Sequence, residues 1–189
     1  MPAIRSRYAA HVARWSNCTR CPLHERRKKV VLARGTLPCD VLFIGEAPGQ
    51  SEDVIGAPFV GPAGQLLDRV IESATPLDLR LAFTNLVCCI PKDETNTKIN
   101  DPPQEAIDAC DTRLGEILRI ANPSTIVCVG TLSGKWVPKR YGQDEFDQIA
   151  TILHPAAILR ADAAQQGLMT QRTIVTLSDV FTETRDRLS

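Results

Sequence analysis

The chain has 189 residues, with 22 Lys and Arg balanced by 22 Asp and Glu, and 43% of its residues are hydrophobic. This length is enough for one domain that buries a full core without disulfide staples. Because the formal net charge is zero, an anionic partner has to be met by a local patch. No apolar run approaches the roughly 20 residues that span a bilayer, so we expect a cytoplasmic protein without membrane contact. In that reducing compartment the seven Cys favour metal ligands or buried thiols over disulfides.

Apolar runs and turn signals predict strands that alternate with helices along residues 1–189, as a single domain with an N-terminal Cys-containing segment. Helices are predicted over 2–16, from 66 onward, from 103 onward, over 132–137 and over 168–188. Four strands are predicted over 41–44, 81–87, 125–130 and 149–153. This alternation indicates an α/β fold, a three-layer α/β/α sandwich around a mostly parallel four-stranded sheet.

Cys18 and Cys21 follow the first predicted helix and are separated by two residues. The spacing lets both thiolates point at one centre, as in zinc or iron-sulfur sites, but one pair fits redox or structural thiols equally well. A run of four cations follows, beginning with Arg26 and Arg27. Such a run is usually a solvated face, and beside a metal-like Cys pair it is also a candidate phosphate contact.

The stretch over 45–67 is the most unusual part of the sequence. It follows a predicted strand and contains five Gly, three Pro and Phe59 before the next helix is established. A loop of this length is usually functional or disordered, and its Gly and Pro content favours a defined shape. Glycines let backbone N–H groups approach a planar or anionic ligand closely. The alternative is an elaborate surface turn.

Polar side chains lie at or near the ends of three of the predicted strands, namely Glu46, Asn85 and His154. Because the carboxyl ends of parallel strands share one edge of a sheet, we expect these residues and Phe59 to converge in one crevice. Each has a plainer interpretation as well. Phe59 is either a hydrophobic plug or a stacking platform, Asn85 could tie down a neighbouring loop, and a lone His is often structural.

An apolar pair, Ile158 and Leu159, lies just beyond His154 and is followed by Arg160. Ordinary helix packing explains such a pair. The alternative is a wedge that enters a base stack while the Arg contacts a phosphate.

Taken together, these motifs resemble the family 4 uracil-DNA glycosylases, the iron-sulfur branch of the uracil-DNA glycosylase superfamily. The resemblance extends from Cys18 to about residue 185. It depends on four motifs, over 45–53, 58–67, 84–85 and 154–156. Together they are far more specific than any one alone.

The resemblance implies a DNA repair enzyme that flips uracil out of single- or double-stranded DNA and hydrolyses its N-glycosidic bond. It also implies a monomer with a 4Fe-4S cluster, for which zinc is the competing occupant. By position the four ligands match Cys18, Cys21, Cys89 and Cys110. Cys89 is preferred to Cys88 because the third ligand of the family lies two residues before a Pro.

The resemblance further implies a role for each site residue. Phe59 stacks on the flipped uracil, Asn85 reads its Watson-Crick edge and His154 binds the O2 side. Glu52 lies near the C5 face, and it or Asp53 is a candidate for positioning water. The pocket is lined by Gly45, Glu46, Ala47, Pro48 and Gly49, and DNA is contacted by Arg26, Arg27, Ile158, Leu159 and Arg160.

The chain departs from the family in several places. Ala47 stands where better-known uracil glycosylases carry an activating Asp, which favours a dissociative route with a backbone-held water. Cys88, Ile90 and Pro62 replace residues that are commonly basic in the family. Two alternatives therefore stay open: a superfamily glycosylase for another damaged base, such as hypoxanthine or a modified pyrimidine, and a protein that binds uracil-containing DNA without cleaving it.

Overall fold

A five-stranded sheet forms the centre of the protein. The computed structural model describes residues 2–75, 78–142 and 145–189. Its strands are β1 (Arg34–Gly35), β2 (Val41–Gly45), β3 (Leu81–Asn85), β4 (Thr125–Val129) and β5 (Gln148–Ile152), in the spatial order β1-β3-β2-β4-β5. Only β1 runs antiparallel to its neighbour. The mostly parallel sheet is confirmed, with one more strand than predicted, because β1 is two residues long and shows no periodicity.

Seven α-helices connect and flank the described strands. They are α1 (Pro2–Trp15), α2 (Gln50–Ile55), α3 (Pro62–Ser73), α4 (Gln104–Ala121), α5 (Thr131–Tyr141), α6 (Pro155–Arg160) and α7 (Ala163–Leu188), with a single 3-10 turn at Pro22–Glu25. The sequence did not predict α2 and α6. Each has six residues, too few for a 3.6-residue period to emerge.

The central strand β2 shows why the sandwich has three layers. All five of its residues are buried, and they alternate between the two faces of the sheet. Val41 and Phe43 pack in one core with residues of α3 and α7. Leu42 and Ile44 pack in a second core with residues of α4 and α5. A strand covered on both sides reads as an unbroken apolar run, and the predicted α/β/α arrangement is confirmed.

The parallel register brings the strand ends to one edge. Gly45 at the end of β2 pairs with Asn85 at the end of β3, and Val129 of β4 pairs with Ile152 of β5. The loops that follow these strands therefore meet at the carboxyl edge of the sheet, where open α/β sheets bind ligands. No described helix is both long enough and apolar enough to cross a membrane.

Candidate active site

A cavity of about 1030 Å³ opens at the carboxyl edge of the sheet. Phe59, Asn85 and His154 all line it, so the structure brings together the three side chains that were expected to converge. The backbone segment 46–49 lines the same cavity. The volume far exceeds that of one pyrimidine ring, which leaves room for flanking parts of a larger ligand.

Gly45 forms the contact point between two of these side chains. A Cβ atom built on Gly45 would lie 2.6 Å from Cζ of Phe59 and closer still to Oδ1 of Asn85. Only a hydrogen atom fits there, so the aromatic ring and the amide converge on the same Cα. This close approach is the physical reason for glycine at the end of β2.

The backbone of Phe59 is held in an unusual conformation, with φ of 56°. Positive φ is unfavourable for an aromatic residue and persists only where the surroundings enforce it. Oε1 of Glu52 accepts hydrogen bonds from the N–H groups of Val60 (2.9 Å) and Gly61 (2.7 Å). On the other side, Nε of Arg34 donates to the carbonyl of Pro58 at 2.8 Å. The backbone around Phe59 is therefore held in place from both sides.

Asn85 is 3% exposed at the end of β3. Among the described residues its side-chain amide makes no hydrogen bond, whereas its carbonyl accepts one from Arg113. The backbone is thus fixed while both polar groups of the amide stay available in the cavity. An amide held this way can donate and accept at once, which suits it to read a base edge.

His154 caps the N-terminus of α6, and its Nδ1 accepts a hydrogen bond from the N–H of Ala156 at 3.2 Å. Because Nδ1 is the acceptor, a neutral ring carries its proton on Nε2. Burial lowers the pKa of His154, an effect that Glu46 opposes and Arg160 reinforces. The site therefore contains a neutral imidazole with an N–H donor.

We expect the folding stability to fall as the pH decreases below about 6.5. Burial lowers the pKa of both His154 and His11 from the ordinary value of 6.5, so the folded state binds fewer protons than the unfolded chain. Stability is complete above that value and is lost as the pH falls towards the folded pKa values. Urea unfolding at about pH 7.5 and about pH 5.5 measures the loss, and His154→Gln should reduce it. Equal pH dependence in both proteins would contradict this.

The two carboxylates of the cavity organise loops. Oε1 of Glu46 accepts a hydrogen bond from the N–H of Leu132 at 2.9 Å. A Cβ on Gly130 would lie 2.5 Å from that same oxygen, so the turn after β4 packs tightly on Glu46. Glu52 uses Oε1 to hold the Phe59 loop, which leaves Oε2 beside Gly49. Both side chains line the cavity, and their roles in it stay predictions.

Asp53 does not fit the predicted water-positioning role. It is fully buried, and its carboxylate accepts from the N–H of Lys28 at 2.7 Å and from Nζ of Lys92 at 2.9 Å. Both of its oxygens are committed, so it anchors the segment that carries the cation run. The sequence could not distinguish neighbouring acids on a helix that it did not predict.

The structure corrects the predicted DNA wedge of Ile158 and Leu159, because α6 exposes only one of the two side chains. Ile158 is 2% exposed and belongs to the core beneath the sheet, so it is not offered to DNA. Leu159 is 41% exposed, and Arg160 lines the cavity. Of the predicted pair, only Leu159 is exposed, so the predicted wedge is reduced to this one side chain.

Neither Arg26 nor Arg27 is among the described residues that line the cavity. Nη1 of Arg27 donates to Sγ of Cys89 at 3.5 Å, so this side chain points towards the thiols. The carbonyl of Arg26 accepts from Lys92. Sequence analysis missed two cations that do line the cavity, Lys135 on α5 and Arg172 on α7. No local motif marks them, because their positions depend on helix packing.

Five thiols gather beneath the strand ends. Cys88, Cys89 and Cys110 belong to one buried cluster, against which Cys18 and Cys21 pack. Sγ of Cys88 lies 3.9 Å from Sγ of Cys110, and this contact together with burial raises the pKa of Cys110. Within the described ranges no three His, Cys, Asp or Glu side chains are arranged around a single ion position. The donor set is nevertheless one that fits an iron-sulfur cluster, with thiols from three separate segments meeting in an apolar shell.

A sequence profile of the "Uracil DNA glycosylase superfamily" matches residues 33–177. The chain is 32% identical to the type-4 uracil-DNA glycosylase of Pyrobaculum aerophilum, over 78% of this chain and 82% of that protein. The chain belongs to the uracil-DNA glycosylase superfamily, in its type-4 branch. The type-4 uracil-DNA glycosylase of Archaeoglobus fulgidus is 29% identical, over 76% of this chain and 78% of that protein.

Among solved structures, SMUG2 of Pedobacter heparinus shares the fold of this superfamily member, with a TM-score of 0.58 and 15% sequence identity. The two overlap over 74% of this chain and 75% of the SMUG2 chain. In this type-4 chain, the described residues that line the cavity all lie between 46 and 176. They are therefore inside the part that the superfamily profile matches. Cys18 and Cys21 precede that part.

Proposed function

We propose that this protein removes uracil from DNA by hydrolysing the N-glycosidic bond and leaving an abasic site. The observation that carries the proposal is the convergence of Phe59, Asn85 and His154 on one cavity with Gly45 between the first two. An aromatic face, an amide and an imidazole N–H together match the face, the edge and the O2 atom of uracil. The type-4 uracil-DNA glycosylases to which the chain is related support the same activity.

The base has to leave the duplex or the stacked strand before it reaches the cavity, at a cost of a few kcal/mol. Stacking on Phe59 offsets part of this cost. Leu159 fills the space that the base vacates. Positive side chains along the cavity, Lys135, Arg160 and Arg172, contact the phosphates on either side of the flipped nucleotide.

Bond cleavage leaves negative charge on uracil O2 and positive charge on the sugar. A neutral His154 donates from Nε2 to O2 as that charge develops, and it stabilises the transition state more than the ground state. One oxygen of Glu46 and one oxygen of Glu52 accept hydrogen bonds from backbone N–H groups, and position 47 is Ala. Departure of the base therefore precedes attack by a water that backbone groups hold in place.

Asn85 determines which pyrimidine is accepted. Its amide donates to O4 and accepts from N3–H of uracil, whereas cytosine presents the reverse pattern at both atoms. We expect Asn85→Asp to shift the preference towards cytosine or to abolish activity, because each unpaired buried polar group costs roughly 1 to 3 kcal/mol. Single-turnover rates on matched uracil and cytosine oligonucleotides test this. An unchanged preference for uracil would remove Asn85 from recognition.

Cys18, Cys21, Cys89 and Cys110 are the proposed ligands of a 4Fe-4S cluster, with zinc the less favoured occupant. When bound, the cluster serves as a structural clamp between the N-terminal segment, the end of β3 and α4. The side chain of Arg27 donates towards Cys89, as outer-shell groups of thiolate ligands commonly do. Iron and sulfide analysis of anaerobically purified protein tests the assignment, and zinc without iron would contradict it.

The decisive experiment for the function is alkali cleavage of a uracil-containing oligonucleotide after incubation with the protein. We expect strand breaks at uracil and none in the matched thymine oligonucleotide. Cleavage only at hypoxanthine or at a modified pyrimidine would assign another base. Tight binding without an abasic product would reduce the protein to a binding module.

A further inference from the structure

The interior of the protein contains an unusual buried arginine. Arg113 on α4 is 0% exposed and lies one helical turn after Cys110. Its Nη1 donates to Oγ1 of Thr84 at 2.8 Å, and its Nη2 donates to the carbonyls of Asn85 and Leu86. One guanidinium thus grips the segment that carries the proposed uracil-reading amide.

The charge of Arg113 has no carboxylate partner among the described residues, and its Nε is buried without a hydrogen bond. A guanidinium keeps its charge in a protein interior, and an unpaired buried charge is strongly unfavourable. Neutral carbonyl and hydroxyl acceptors satisfy its hydrogen bonds without neutralising it. A negatively charged group close to Arg113 would therefore stabilise the folded protein.

The groups best placed to supply that negative charge are thiols. Arg113 follows Cys110 by three residues on α4, so the two side chains leave the same face of the helix. The Leu86 carbonyl that Arg113 binds lies three residues before Cys89, a second proposed ligand. Metal binding converts cysteine thiols to thiolates, which places negative charge at this position.

We propose that Arg113 is a positioning residue that couples the cysteine cluster to the uracil-reading end of β3. Ligand thiolates supply its counter-charge, and the neutralised guanidinium fixes the carbonyls of Asn85 and Leu86. The inference rests on the proposed function, both for the cluster and for Asn85. It adds a specific route by which the cluster supports base recognition beyond holding the chain together.

The coupling predicts an effect of the cluster on Asn85 and an effect of bound uracil on the cluster. Thr84, which accepts from Arg113, donates in turn to the carbonyl of Leu32 at 2.7 Å, so the strand end is braced on both sides. Loss of the thiolates leaves the cation uncompensated and displaces the segment that presents Asn85. By reciprocity, uracil bound at Asn85 strengthens cluster retention.

The test measures iron retention in the iron-loaded protein with and without saturating free uracil. For the wild type we expect uracil to raise the chelator concentration that removes half of the iron, by about fivefold or more. Arg113→Met should lose iron more readily, and uracil should no longer move its midpoint. Arg119→Met, an exposed arginine on the same helix, is the matched control and should behave as the wild type.

Arg113→Lys keeps the charge but cannot span three acceptors, so it should retain iron while its uracil effect shrinks. If Arg113→Met does not fold, Arg113→Lys by itself tests the inference. An undiminished uracil effect in either variant would overturn the inference alone. A wild-type protein purified without iron would overturn the cofactor assignment and this inference with it. Iron-loaded wild type whose iron retention ignores uracil, with uracil excision intact, would overturn the coupling and leave the function standing.

Discussion

Replacing His154 with Ala is expected to lower the rate constant for uracil release by a factor of about 10² to 10³, the usual effect of removing one preorganised donor to a developing oxyanion. The structure gives the reason, because the N–H of Ala156 occupies Nδ1 and leaves the proton on Nε2. Burial lowers the pKa of His154 and so favours the neutral ring. The neutral ring can donate from Nε2 without first gaining or losing a proton. Single-turnover kinetics on a single-stranded uracil oligonucleotide measure the effect.

His154→Gln is the informative comparison, since a glutamine amide retains an N–H donor on a side chain of similar reach. It should recover part of the lost rate while leaving substrate affinity close to that of His154→Ala. Rates that are unchanged in His154→Ala would exclude the residue from the mechanism. An equal loss in both variants would indicate that the imidazole acts through more than its donor.

Gly45→Ala is expected to reduce uracil binding and excision by about 10² or more, because two recognition groups have to move at once. The added methyl group would lie 2.6 Å from the ring of Phe59 and closer to the amide of Asn85. Phe59 cannot retreat easily, since Glu52 and Arg34 hold the backbone of its loop. Competition by free uracil and single-turnover excision both measure the loss.

Gly167→Ala is the matched control for Gly45→Ala. Gly167 lies within α7, and a Cβ built there meets no atom within 4 Å. The same substitution should leave activity unchanged and raise stability by about 0.5 to 1 kcal/mol, because alanine favours a helix more than glycine does. Full activity in Gly45→Ala would show that uracil does not bind between Phe59 and Asn85.

Position-specific chemistry along the chain was sufficient to predict most of the candidate site. Asn85 ends β3, the Phe59 loop comes after β2 and His154 comes just after β5, and parallel strands gather such residues at one edge regardless of the helices between them. The roles of these residues stay predictions until the experiments above are done. What the sequence did not predict were Lys135 and Arg172, which reach the cavity from the bodies of helices.

Local sequence by itself determined the alternation of strands and helices, the burial of β2 on both faces and the stretch that shapes the cavity. It could not determine which of Ile158 and Leu159 faces outward, because a six-residue helix has no readable phase. It did not reveal that both oxygens of Asp53 bind lysine groups, or that Arg113 is buried without a carboxylate partner among the described residues. Those features depend on contacts between residues far apart in the chain, which only the packed tertiary structure brings together.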